Sequence, residues 1–113
     1  MPSLGERDRR RLKALWVDQP ADVPREVSHD LFFLDNPDGA RRVQQELRRR
    51  RFRTRFVDEL TGSGYFHLTA SRPQPTTVRA IYNARRELES LAAKNGGKYL
   101  DWTVVTPRLG RHS

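Results

Sequence analysis

Residues 95–105 read NGGKYLDWTVV, and the role of this stretch decides the fold. Ahead of it, over residues 76–94, Val78, Ile81, Tyr82, Leu88, Leu91 and Ala92 recur with the 3.6-residue period of an amphipathic helix. Asn95 and Gly96 end that helix, because glycine accepts the left-handed conformation that C-terminal caps use. Residues 98–106 then alternate as a strand. Leu100, Trp102 and Val104 fall on one side, Tyr99 and Asp101 on the other. Gly96, Gly97 and Trp102 are therefore expected to be structural, with Trp102 in the core and its indole N–H in need of a partner.

Working backwards, YFHLTAS (residues 65–71) reads as a strand entered from a TGSG hairpin-type turn, and the prolines of RPQP close it. RFRTRFVDE (residues 51–59) alternates strictly, with Phe52, Thr54 and Phe56 on one side and Arg51, Arg53 and Arg55 on the other. Before it, Asn36 at the cap and Pro37 at the first helical position start a helix whose apolar face is Ala40, Val43 and Leu47. SHDLFFLD (residues 28–35) is short, apolar and aromatic, as a buried strand is. The order is strand, helix, strand, strand, helix, strand. The fold class is α+β, a ferredoxin-like βαββαβ sandwich with an antiparallel four-stranded sheet. Phe52, Phe56, Phe66, Leu68 and Ala70 complete the expected core layer.

Residues 1–27 read as an N-terminal helical arm and linker. Ser3 and Glu6 have capping-box spacing, Leu12, Leu15 and Trp16 make a short apolar stripe, and Pro20 and Pro24 break the chain after it. Arg7, Arg9, Arg10 and Arg11 place positive charge at the helix N-terminus, where it opposes the dipole. Residues 28–107 form the folded domain, and residues 108–113 are expected to be a disordered tail.

A chain of 113 residues with no cysteine is one small domain without disulfides or thiolate metal sites. It has no apolar run long enough to span a bilayer and no signal-peptide pattern, so a cytoplasmic location is expected. The formal net charge is +8, and nineteen of the 22 basic residues are arginine. Eight of these arginines lie in residues 41–55 against a single acid, Glu46. Such a patch suits an acidic protein surface or a polyanion.

Two surfaces emerge as candidates. One is the arginine run, Arg48, Arg49, Arg50, Arg51, Arg53 and Arg55. The other is the open sheet face, where Tyr65, His67, Tyr99 and Asp101 lie beside the strand arginines and could stack single-stranded RNA. The scattered histidines His29, His67 and His112 have no metal-site spacing, and TGSG lacks the lysine of a phosphate loop. No enzymatic activity, cofactor, metal or small-molecule substrate is expected.

Leu91, Ala92, Gly96, Gly97, Tyr99 and Trp102, in their places behind a long helix, resemble the ribonuclease E inhibitor family, regulator of ribonuclease activity B. The likeness covers roughly residues 28–106. Family members read Tyr-Asp-Gly-Trp where this chain has Tyr99, Leu100, Asp101 and Trp102, so the acid falls one place later. The resemblance implies a small non-catalytic regulator that acts on a ribonuclease or other RNA-processing partner by protein contact. A direct RNA-binding module built on the arginine strand is the alternative.

Overall fold

The computed structural model describes residues 5–17, 20–58 and 64–105. Its elements are α1 (Glu6–Trp16), β1 (Arg25–Leu34), α2 (Pro37–Arg49), β2 (Arg53–Asp58), β3 (Tyr65–Gln74), α3 (Val78–Lys94) and β4 (Lys98–Val104). The strands form one sheet in the order β2-β3-β1-β4, with every neighbouring pair antiparallel. This is the expected α+β arrangement, with α1 added ahead of it. Residues 106–113 and most of the TGSG turn lie outside the described residues.

Local chemistry places the helices. Asn36 caps α2 by accepting from the Gly39 amide, with Pro37 at the first helical position. Thr77 caps α3 by accepting from Ala80, and Asn95 and Gly96 close it, Gly96 at φ 76°. α1 begins after Gly5 with no side-chain cap. Both α2 and α3 lie on one sheet face, where Ala40, Val43, Leu47, Leu88 and Ala92 pack on Leu31, Phe33, Phe52, Leu68 and Ala70.

A second buried cluster joins α1 to this body. Leu12 packs with Val27, Ile81 and Trp102, and Leu15 and Trp16 flank them. α1 is thus part of the same packed unit. The division expected between residues 27 and 28 falls inside β1, which begins at Arg25. Polar contacts centred on Asp8 help hold the helix down: the Trp102 indole donates to Asp8 Oδ1 (3.1 Å), and Arg85 pairs with Asp8 Oδ2 (3.0 Å). The apolar stripe of α1 is too short to bury much alone, so these contacts and the cover over Trp102 outweigh the fraying expected from its arginines. Glu6 and Asp8 in the first turn also offset that charge.

Two strands differ from strict alternation. Between β1 and β4 the register shifts, pairing Asp30 with Asp101 but Leu31 with Tyr99. Leu100 is the extra residue, 50% exposed and not in the core. The bulge reverses the facing of what precedes it, so Tyr99 turns inward with Trp102 and packs against both clusters. β3, for its part, runs on through Pro73 to Gln74 instead of closing at RPQP. Opposite Pro73, Glu26 uses its carbonyl to accept from Val105, on the β4 side. Pro73 therefore faces the β2 side, and β2 has already ended at the Arg53–Ser71 pair. The missing N–H costs no ladder bond.

Gly97 has a different task from Gly96. A Cβ there would collide with the edge of the buried Phe33 ring. Gly97→Ala is expected to lower stability by about 1–3 kcal/mol, the usual cost of overpacking. Urea denaturation checks this, and an unchanged midpoint would contradict the close approach.

Candidate partner-binding surface

The uncovered sheet face is mostly polar. Its rows run Arg53, Ser71, Ser28, Thr103 and then Arg55, Thr69, Asp30, Asp101. Basic side chains stand at the β2 edge and carboxylates toward β4. Apolar groups gather at one end, where Phe32 and Tyr65 stack with centroids 5.6 Å apart beside Leu34. Such a face tolerates water without a covering layer.

The expected stacking surface is not assembled. Tyr65 is 43% exposed but lies six residues along β3 from Ser71, the partner of Arg53, and four from Thr69, the partner of Arg55, distances of about 20 and about 13 Å at strand rise. His67 sits 3.4 Å from the Asp30 carboxylate. Tyr99 is on the other face altogether, its hydroxyl 2.9 Å from His29 Nδ1. Burial pushes the Tyr99 hydroxyl well above its ordinary pKa.

Asp101 is bound to α1. It pairs with Arg7 (2.8 Å) and Arg11 (3.3 Å) and accepts from its own neighbour, the Trp102 amide. Burial pushes the Asp101 carboxyl up, but the Trp102 amide and the Arg11 guanidinium outweigh it and the net shift is downward. Arg11 also donates to the Trp102 carbonyl and lies over the indole at 4.6 Å. The β4 edge of the sheet is closed by these groups.

The arginine run divides into two sets. Arg50 is structural: it bridges Glu46 on its own helix and Glu87 on α3 (both 2.8 Å), while Arg72 reaches Glu87 and covers the Phe52 ring at 4.0 Å. Hydrogen bonds from Arg50 and Arg49 hold the Glu46 carboxyl below its usual range. Arg48, Arg49, Arg51, Arg53 and Arg55 are exposed. Arg49 pairs with Glu46 and Arg53 with Glu26 (3.1 Å). Arg48 donates to Thr54 Oγ1 (3.1 Å). No acid pairs with Arg51 or Arg55 among the described residues. The exposed set forms one basic band from the end of α2 along β2.

Four polar residues are buried among the described residues, Asp8, His29, Gln74 and Thr76, and the sequence carried no expectation of burial for any of them. For Asp8 there is a signal: it lies one turn before Leu12 on the same stripe. His29 Nε2 faces Gln74 Oε1 (3.3 Å), which assigns the proton to Nε2 and leaves Nδ1 to accept from Tyr99. Burial pushes His29 down to about 4, with Arg72 adding to the effect against the Gln74 bond.

An antiparallel sheet with helices on one face, an open polar face, one closed edge and one basic edge defines an open-faced α+β sandwich. The family model for regulator of ribonuclease activity B matches residues 10–104, and the chain belongs to this family. The match starts at Arg10, well ahead of Ser28, and so takes in most of α1. Members of this family are regulators rather than enzymes. No curated protein sequence matches the chain. Among the described residues no helix is long and apolar enough to cross a membrane.

Proposed function

We propose that this protein modulates a ribonuclease, or another protein of RNA processing, by binding it through the basic band of α2 and β2. The observation that carries the reading is the exposed set Arg48, Arg49, Arg51, Arg53 and Arg55, of which Arg49 pairs with Glu46 and Arg53 with Glu26 among the described residues. Family membership supports the regulatory role. The basic charge implies that the surface contacted is acidic. The inward turn of Tyr99 and the position of the Phe32–Tyr65 pair at the far end of the open face from Arg53 favour a protein partner over a single-strand RNA module. The reading places the protein in the cytoplasm, where RNA processing occurs.

The test is a cleavage assay with an endoribonuclease purified from the same cells and a fluorogenic single-stranded RNA. Added protein is expected to change the cleavage rate to the same extent at low and at saturating RNA. The variant Arg51→Asn/Arg53→Ser/Arg55→Ser should need about tenfold more protein, from three exposed charge contacts of about 0.5 kcal/mol each. Asparagine is chosen at position 51 because Arg51 has φ 69°, which Asn tolerates. An effect that disappears as RNA is raised, together with tight binding of that RNA to this protein in the absence of the ribonuclease, would mean that the protein sequesters RNA, and would overturn the protein-partner reading.

A further inference from the structure

The two edges of the sheet are treated differently. At the β4 edge, the Trp102 carbonyl accepts from Arg11, its amide donates to Asp101, and α1 packs alongside. β2, the opposite outer strand, has no strand beyond it among the described residues.

The ladder identifies which backbone groups that edge presents. The Glu26 carbonyl bonds to Val105, so Glu26, Ser28 and Asp30 address β4. Their partners on β3, Pro73, Ser71 and Thr69, must then address β2. Arg53 pairs with Ser71 and Arg55 with Thr69, so these two arginines spend their backbone groups on β3. Thr54 and Phe56 turn their N–H and C=O groups outward. The same alternation gives Trp102 an outward amide and carbonyl on β4, which is where Arg11 and Asp101 meet them.

We propose that the free edge of β2 accepts an extended acidic segment of a partner protein as a fifth strand, bonded to the backbone of Thr54 and Phe56. The inference rests on the protein-partner reading above and says how that partner is held. Only a polypeptide in extended form matches alternating donors and acceptors at strand spacing. The side chains beside them set the charge. Arg53 and Arg55 flank the edge on the open face. On the helix face, Thr54 is held inward by Gln44 and Arg48 (3.1 Å each), and the Arg41 guanidinium lies 5.8 Å from the Phe56 ring. An added strand thus meets guanidinium groups on both faces. The same charges repel a second copy of this edge, so the strand is kept from pairing with itself while remaining open to an acidic one.

The probe is a fluorescein-labelled heptapeptide of alternating Val and Glu, with controls carrying Lys for Glu and N-methyl groups at every second amide in each register. Anisotropy is expected to show saturable binding of the acidic peptide and none of the lysine peptide. N-methylation in one register should weaken binding at least tenfold with charge unchanged. Arg53→Ser/Arg55→Ser should weaken it several-fold and reduce its salt dependence. Amide hydrogen exchange on the complex should show new protection at Thr54 and Phe56, with little change at Arg53 and Arg55, already in the ladder.

Equal binding of both N-methylated peptides would reduce the contact to charge alone and overturn the fifth-strand proposal. Tighter binding of a single-stranded oligonucleotide of equal charge would overturn it as well, by giving these arginines to nucleic acid. Failure of the acidic peptide to bind, with ribonuclease modulation intact, would overturn the strand mode and leave the regulatory reading standing.

Discussion

Trp102→Ala is expected to cost about 3–5 kcal/mol, the penalty for deleting a large buried aromatic. The side chain is 1% exposed and meets Leu12, Val27 and Ile81, one residue each from α1, β1 and α3. No single neighbour can close the gap, because each belongs to a different element with its own backbone hydrogen bonds. The substitution also removes the donor from Asp8 Oδ1, leaving a buried carboxylate with Arg85 as its side-chain partner. A loss of this size consumes much of the roughly 5–15 kcal/mol available to a small domain. Trp102→Phe separates the two contributions: it keeps an aromatic ring but not the N–H, and should cost less, about 1–3 kcal/mol for the unmet acceptor. Guanidinium denaturation of the three proteins measures both. A Trp102→Ala loss below about 1 kcal/mol, the ordinary scale of a point substitution, would mean that α1 does not cover this residue in solution.

Acid is expected to destabilise the protein through His29 in a defined window. In the unfolded chain its imidazole titrates near 6.5, and in the folded one near 4. Between those values the unfolded state holds a proton that the folded state does not, so stability rises with pH across the window and falls as pH falls. By about pH 7.5, a unit above the unfolded value, the group is nearly all neutral in both states and the slope vanishes. The full loss on acidification is about 3 kcal/mol, at 1.36 kcal/mol per pKa unit. His29→Gln should flatten this slope, since an amide does not titrate and still offers a donor and an acceptor to Gln74 and Tyr99. Urea melts at several pH values from about 4 to 7.5, spanning the window, compare the two, and parallel curves would rule out the buried neutral imidazole. Asp101 acts lower on the scale: its lowered carboxyl contributes stability that starts to be lost as pH enters the ordinary carboxylate range and is lost fully only below it. The His29 contribution is therefore isolated by the difference between the two proteins, in which the Asp101 loss is shared.

For regulation, the two proposals make different demands on the same band. A charge contact alone needs Arg51, Arg53 and Arg55 in place but not the backbone of Thr54 and Phe56. A fifth strand needs both. Conditions that weaken charge, such as high salt, should then reduce partner binding without abolishing its dependence on the partner's amides.

The sequence by itself determined the order of elements and most of the core. Leu12, Phe52, Leu68, Leu88 and Trp102 are found by periodicity, because burial on one face leaves a repeating pattern in the chain. The caps at Asn36 and Gly96 come from local chemistry, which needs no distant neighbour. The basic band was also legible, since eight arginines in residues 41–55 are a matter of composition.

Only the tertiary structure decided the rest. The β4 bulge is a property of two strands together, so strict alternation put Leu100 inside and Tyr99 outside when the reverse holds. The spacing of three between Tyr99 and Trp102 carried the hint, because two inward aromatics at that spacing need an extra residue between them. Arg50 belongs to the arginine run by position, but it is Glu87, 37 residues away on α3, that makes it structural. α1 is held by Asp8 contacts to Arg85 and Trp102, at separations of 77 and 94 residues. The open edge of β2 is likewise invisible locally: a strand reads the same whether or not another lies beside it, and only the sheet order leaves Thr54 and Phe56 facing outward.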